Sequence, residues 1–588
     1  MRAPSTGRFR YLLFGSIAIA LLAFIAKANA IIDGQNHSAA ASGSLKAIAQ
    51  GLSQPIILYT DITSGPNSGG EGNNGTYLTV FGNHFGTTQG TSKVAINGKA
   101  VAKYLLWSDK KIGLQVGPVS SGPIVVTVGG ASSNSDLTFK VRSGHIYYIG
   151  AGADNSPPGS CSSMMAANSY SIPWGLTNIA STMESSYSFA TMRTPYTYYK
   201  CLSFGDTLVF LNGASYHYYD GRGWHASLTP DKKGAGADSF ITFMARPGAR
   251  AQLGGESGAM FPVRDISDGY DVFSGFTLTG RGKSGGAEFR TNVRLVGNEI
   301  TCPDCSGPAG AVSGGDGLTM YGNTVHDVGV LAPGGAGKLY HAIYVAGNNI
   351  DIGWNKIYNT KAYNGIQVNH DGSPGFYNLA WHDNDISDVN GSGINLSTID
   401  PSSGYVMVYN NVIHHVGLNI ASDGSTSDPH SCIAVKGYGR STGSGTVEIF
   451  NNTMYDCSSY LNVNPASQAS CAIIEPFKQL NARTNLVNNI VYQPVYTVTA
   501  KQNVFICGGV SMGTLSGSNN LWYSESPAGS AAPVTTFGVI ANPSFLSASD
   551  LHVRRGSPAV GHGASIGDLK RDHDGAPRAN PPTIGAYE

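Results

Sequence analysis

The chain has 588 residues, 37 basic and 37 acidic side chains, 77 glycines, and only 13% charged residues. That length leaves room for more than one domain, while the scarcity of charge and abundance of turn formers exclude long charged helices and point to mostly β-structure. The balanced charge also excludes the basic footprint of a nucleic-acid binder, so no nucleic-acid partner is expected.

The first 30 residues form a segment of their own. Arg2, Arg8 and Arg10 precede an apolar run from Tyr11 to Ala26, and the segment closes with Ala28-Asn29-Ala30. This order of basic, apolar and small residues predicts a signal peptide over 1–30, with an uncleaved membrane anchor as the alternative. No later run is apolar enough to span a membrane, so no stable insertion is expected after cleavage. Removing 1–30 leaves 33 basic against 37 acidic side chains, a net charge of −4. The mature chain is therefore expected to be secreted or periplasmic, and a cell-surface location also fits. All eight cysteines follow the leader, so disulfides are permitted. Cys302 and Cys305 form a CxxC with no second CxxC or histidine pair to complete a zinc site, which favours structural bridges.

Residues 53–142 read as a small β-sandwich. Short strands such as "YLTVFG", "KVAING" and "PIVVTVGG" alternate with Gly- and Asn-rich turns. The stretch "ITSGPNSGGEGNNGTYLTVFGNHFG" followed by "VAINGKA" resembles the immunoglobulin-like domain of the IPT/TIG family. That resemblance implies a spacer or a glycan-binding module.

From residue 145 to 588 a unit apolar–x–x–Asn–x–apolar recurs, with its Asn at 298, 323, 355, 384, 411, 452 and 489. Irregular intervals around a constant unit predict a solenoid whose coils accept insertions at one corner. The fold class expected is all-β: a right-handed parallel β-helix preceded by the small sandwich. Strands of successive coils lie about 4.8 Å apart, so asparagines at equivalent bends can stack into an amide ladder. Asn also tolerates the left-handed backbone of a sharp bend.

A second strand set precedes each Asn unit: 341–347, 364–370, 392–398, 431–437 and 470–476. Alternation turns Ile343, Val345, Ile366, Val368, Ile394, Leu396, Ile433 and Val435 inward. The outward columns then read Tyr344, Gln367, Asn395, Ala434, Ile473 and Ala346, Asn369, Ser397, Lys436, Glu475. Cys432 and Cys471 fall on the same rung, as a disulfide or as a stack of reduced thiols.

The segments "HIYYIGAGADNSPPGS", "LSFGDTLVFLNGASYH" and "FITFMARPGA" resemble the first coils of secreted β-helix polysaccharide lyases. The end, "DLHVRRGSPAVGHGA" then "RDHDGAPRANPPTIGAYE", resembles the C-terminal signature of exported bacterial β-helix proteins. Both resemblances imply the pectin-lyase-like architecture and a polysaccharide partner, which for a lyase is acidic; the scaffold also serves hydrolases, epimerases and binding proteins.

The outward columns form a groove along which a polymer could lie. Gln367, Asn369 and Asn395 suit sugar hydroxyls, and Tyr344 suits a pyranose face. Lys436 and Arg440, in "VKGYGR", match the lysine and arginine roles of β-helix lyases of the alginate and chondroitin type, without those families' extended motifs around them. β-Elimination on a uronate needs a neutralised carboxylate, a base at C5 and an acid for the leaving oxygen, and a lysine beside another cation suits the base. The bland alternative pairs Lys436 with Glu475 one coil on, a contact worth little. His370 and Asp371 follow a groove strand, and His suits acid–base work near neutrality; His341 and His430 open comparable strands. Asp428-Pro429-His430 resembles part of the Asp-Pro-His-Asp motif of mannuronan C5-epimerases, with Ser431 in place of the last Asp.

For hydrolysis by paired carboxylates, the candidates are Asp371, Asp383, Asp428 and Glu475. The polygalacturonase set is absent, apart from Gly561-His562-Gly563 in the C-terminal signature. These readings fix no cofactor with certainty. Ca²⁺ suits a lyase, but no loop has Ca²⁺-ligand spacing, and the metal stays open. The reading is a lyase, with a hydrolase, a non-catalytic glycan binder and, behind these, a uronate epimerase as alternatives.

Overall fold

A computed structural model describes residues 54–150, 166, 168–175, 202–211, 215–216, 226–228, 234–255, 261–265, 269–283, 285–330, 339–370, 373–418, 430–435, 444–457, 472–474, 482–494, 505–507, 515–525 and 537–588. Residues 1–30, where a signal peptide was expected, lie outside them.

In the N-terminal part, alternating strands bury one face each and close a sandwich. Ile56–Thr60, Tyr77–Asn83, Lys111–Gln115 and Lys103–Trp107 form one antiparallel sheet. The facing sheet is built on Lys93–Ile96, Gly122–Val128 and Thr138–Val141. Leu78, Val80, Val94, Ile96, Ile112, Leu114, Ile124, Val126 and Phe139 are fully buried between them, which drives the two sheets together.

Beyond residue 145 the described strands pair mainly in parallel, coil on coil, in three long sheets, while Phe545–Ser547 and Asp550–Val553 pair antiparallel near the C-terminus. The first runs from Ile146–Gly150 through Arg294–Val296 and Leu379–His382 to Leu515–Ser518. The second includes Glu299–Cys302, Asp385–Val389 and Asn520–Ser524; the third runs from Ala287–Glu288 through Tyr340–Val345, Ile366–Val368, Ile394–Leu396 and Ile433–Val435 to Ile506–Cys507. This is a parallel β-helix. One inward column reads Leu295, Met320, Ile352, Trp381, Val408, Ile449 and Leu486, and every member is fully buried. The eight third-sheet side chains expected inside are likewise fully buried.

From Arg294–Val296 to Arg483–Val487 the bend between first and second sheets is two residues long and carries the asparagine ladder. Each Asn donates Nδ2–H to Oδ1 of the next: 298 to 323, 323 to 355, 355 to 384, 384 to 411, 411 to 452, 452 to 489, and 489 to 520, all at 2.9–3.0 Å. Asn520 extends the series by one coil beyond the sequence unit. The left-handed backbone falls one residue earlier than expected: on Gly297, Gly322, Trp354, Asp383, Asn410, Asn451, Asn488 and Asn519, with φ between 52° and 65°. The ladder residue turns inward, and its predecessor makes the bend.

That outer row grips two other parts of the chain. Asn410, Asn451, Asn488 and Asn519 donate to the carbonyls of Arg571, Gly585, Ala564 and His562, binding the C-terminal segment to the solenoid. His562 of the Gly-His-Gly element thus acts through its backbone. The sandwich docks on the first sheet's outer face. Arg294 donates to the carbonyls of Thr60 (2.5 Å) and Asp61 (2.8 Å). Ser274 donates to Asp61 at 3.0 Å, Arg246 pairs with Glu71 at 3.1 Å, and Tyr59 packs on Tyr321 and Trp354.

Two disulfides lie among the described residues, Cys302–Cys305 and Cys432–Cys457. The second corrects the expected pairing of Cys432 with Cys471. The reason is register: Ile433 pairs with Ile473 and Ala434 with Ile474, so Ile473–Ile474 sits one residue from its expected alignment. Cys471 lies outside the described residues. Ile473 moves into the inward column, where it is fully buried.

Candidate functional site

The third sheet's outward column is assembled as expected over four strands: Tyr344 pairs with Gln367, Gln367 with Asn395, and Asn395 with Ala434. Backbone bonds from Asn369 N to Val345 O and from Ser397 N to Val368 O carry the second column in the same register.

The chemistry of the column differs from a freely solvated face. Gln367 is 8% exposed and Asn395 3%. Gln367 Oε1 accepts from Asn364 Nδ2 at 2.7 Å and from Asn395 Nδ2 at 2.6 Å, while Ser397 donates to Asn395 Oδ1 at 3.2 Å. Each buried amide finds its partner one coil away, as burial requires. Asn369 accepts from Thr398 Oγ1 at 2.8 Å. His370 is exposed, with Nδ1 2.7 Å from Ser373 Oγ. At the strand openings His341 stacks on Tyr344 and touches Tyr363, which meets His430 edge-on. His341 and His430 are both buried. The structure therefore brings Tyr344, Gln367, Asn369, Asn395, His341, His370 and His430 to one face. Lys436, Arg440, Asp371, Asp428 and Glu475 lie outside the described residues.

Asp383 does not belong to this face. It occupies the left-handed row beside the ladder, where its Oδ2 lies 2.7 Å from His382 Nδ1. His382 Nε2 lies 2.8 Å from Asp351 Oδ1, and Tyr321 donates to Asp351 Oδ2 at 2.7 Å. Burial alone would lower the His382 pKa, but the bonds to the two carboxylates raise it to about 10, so the imidazole stays protonated at neutral pH. Burial opposes ionisation of Asp351, yet the His382 bond and charge hold its carboxyl below the usual range. Sequence reading missed this Asp–His–Asp cluster. Counting back from the ladder asparagines in "DIGWN" and "AWHDN" would have set Gly353 against His382 and exposed the neighbourhood.

Among the described residues no group of three or more His, Cys, Asp and Glu is placed to hold a metal ion.

Residues 60–141 match the IPT/TIG domain family. No curated protein matches the chain. Solved structures similar to it include pectate lyase Pel9A, at 15% identity over 76% of this chain and 97% of that one, TM-score 0.40. An alginate lyase from Paenibacillus sp. str. FPU-7 is 16% identical over 58% and 95%, TM-score 0.30. A GH136 lacto-N-biosidase from Eubacterium ramulus is 11% identical over 68% and 67%, TM-score 0.35. Likeness at this level carries no argument about activity, and the fold rests on the chain's own strand pairing. The class so defined is a parallel β-helix with an IPT/TIG domain docked on its first sheet.

Proposed function

We propose that the protein acts on a polysaccharide at the third-sheet face, as a lyase that cleaves a uronate-containing glycan by β-elimination. The observation that carries the reading is the polar column Tyr344, Gln367 and Asn395 on consecutive strands, with His341, His370 and His430 along its border. Lys436 follows directly on Val435, which pairs with Leu396 of the same sheet.

In this scheme Asn369 positions the sugar, Asn395 is locked to Gln367 and Ser397 on the same face, and a cation neutralises the uronate carboxylate. Lys436 removes the C5 proton, the C–H electron pair forms the C4–C5 double bond, and the C4–O bond breaks. His370 or Arg440 returns a proton to the leaving oxygen. Export fits the same reading, because the leader at 1–30 and the bridges Cys302–Cys305 and Cys432–Cys457 suit an oxidising compartment.

A second reading, glycan binding without cleavage, draws on the closed network in which Gln367 Oε1 already receives two amide donors.

The test incubates the exported chain with acidic and neutral polysaccharides, with and without Ca²⁺, following ultraviolet absorbance of unsaturated uronates beside reducing ends. Absorbance rising on a uronate polymer supports the lyase; reducing ends without absorbance overturn it in favour of hydrolysis. Binding without products moves the second reading ahead. A Lys436→Ala variant with full activity would refute the base assignment.

A further inference from the structure

The first sheet's outer face continues past the edge of the docked sandwich, and nothing in the proposed reaction uses it. Two columns of side chains run along it. One reads Asp351, Ala380, Met407, Glu448 and Asn485. The other flanks it at the strand openings with Asn349, Asn378, Tyr405, Thr446 and Arg483. Five parallel strands at about 4.8 Å make a strip of roughly 19 Å along the solenoid axis.

Three features make the strip a place for a sugar chain. Tyr405 is 49% exposed, leaving ring surface for the apolar face of a pyranose. Beside it the column passes from half-buried Met407 to buried Ala380. Asp351 is 40% exposed at its side chain and fixed from behind by His382 and Tyr321. Each of its carboxylate oxygens accepts one of these bonds and keeps further lone-pair capacity, so the group is a preorganised acceptor for hydroxyls. Asn378 donates to Asn349 at 2.8 Å, setting a pair of amides at the opening of the same strands.

Charge decides the class of sugar. The outward charges of the strip are two carboxylates, Asp351 and Glu448, against one cation, Arg483, and Tyr405 lies two strands from both Asp351 and Arg483. His382 behind Asp351 is balanced by Asp351 and Asp383. Glu448 accepts from Asn485. Arg294, on the sandwich side, gives its donors to Thr60 and Asp61. A uronate set against Asp351 would meet like charge at close range, whereas neutral hydroxyls meet an acceptor.

We propose that this strip, from Asp351 to Arg483, is a second glycan site that takes a neutral oligosaccharide lying along the solenoid. It shares the glycan reading above but lies on another face and takes the opposite class of sugar.

The experiment titrates the full exported chain by calorimetry with cellohexaose, mannohexaose and xylohexaose, beside hexagalacturonate. The expected result is binding of at least one neutral hexaose, lost roughly 3- to 10-fold in Tyr405→Ala and kept in Tyr405→Phe, as a stacking contact requires. Cleavage of the uronate polymer by Tyr405→Ala should equal that of the parent chain. The proposal is overturned if no neutral hexaose binds, or if Tyr405→Ala binds as tightly as the parent. Failure to act on any uronate polymer would sink the lyase reading and leave the neutral titration untouched.

Discussion

Replacing Asn411 by Ala removes one rung from the middle of the amide ladder. Its Nδ2 donates to Asn452 Oδ1 (2.9 Å), Trp381 O (2.9 Å) and Tyr409 O (3.0 Å). Its Oδ1 accepts from the backbone N of Asn384 (3.1 Å) and from Asn384 Nδ2 (2.9 Å). Some partners survive the deletion: Asn384 Nδ2 still reaches Ile352 O, and Asn452 Oδ1 still accepts from Asn411 N. The buried N–H of Asn384 does not, and an orphaned donor costs about 1–3 kcal/mol. Adding the net loss of the remaining bonds, about 0.5–1.5 kcal/mol each where no partner replaces them, gives about 3–5 kcal/mol. Solenoid stability is shared between neighbouring coils, so the damage should be local. Hydrogen exchange by mass spectrometry should show peptides spanning 379–389 and 446–457 exchanging roughly 100- to 4,000-fold faster, since about 1.4 kcal/mol is a factor of ten. Asn485→Ala is the control: this half-exposed amide bonds Glu448 at the surface, and its loss should fall within about 0.5 kcal/mol. If Asn411→Ala exchanges like Asn485→Ala, the ladder is a by-product of coil spacing and contributes nothing of its own.

Peptide mapping without reduction should recover Cys432 linked to Cys457, and recovery of Cys432 linked to Cys471 would overturn the register described here. Removing the Cys432–Cys457 bridge by a double Ala substitution should cost about 3 kcal/mol, for a loop of this length, read as a fall in the urea midpoint. His382 gives a pH dependence: its folded pKa is raised to about 10, so its stabilisation is full below about 6.5 and fades as pH climbs toward 10. The thermal midpoint should therefore fall between pH 7 and 10 in the parent, and His382→Gln should flatten that part of the decline. Asp61→Ala should loosen the sandwich from the solenoid, because Asp61 is fully buried and accepts from Ile62 N, Thr79 N and Ser274 Oγ; limited proteolysis within residues 54–145 is the readout.

The parts of the fold legible in the sequence were those enforced coil by coil. A ladder asparagine must recur because each one satisfies the next, so the unit survives intervals of 25 to 41 residues. The third-sheet register was legible for the same reason through Val435, where Ile-x-Val and Ile-x-Leu pairs alternate cleanly. It slipped at 470–476, where "CAII" offers two apolar phases and a one-residue shift flips every side chain. Burial of Gln367 and Asn395 was not legible, since alternation tells outward from inward but not covered from open. The Asp351–His382–Asp383 cluster was hidden because its members are 31 residues and one residue apart and meet only through ladder register.

From Arg294–Val296 onward, length variation between the described strands falls at the corners around the third sheet. Between Val412–Val416 and Ile433–Val435 the chain spends 16 residues, and between Thr453–Cys457 and Ile473–Ile474 it spends 15. The bend at the ladder stays at two residues in each of these coils. The ladder corner cannot take an insertion, because an extra residue would carry an asparagine off its rung and unhook the outer row from the C-terminal segment. The first sheet is likewise committed, near its start, to the sandwich that Arg294 and Tyr59 hold against it. The third sheet alone combines a regular polar column with corners free to grow. Chemistry that needs long, variable loops around a rigid row of side chains has its place there, and the shorter-looped first-sheet strip is suited to holding a chain rather than cutting it.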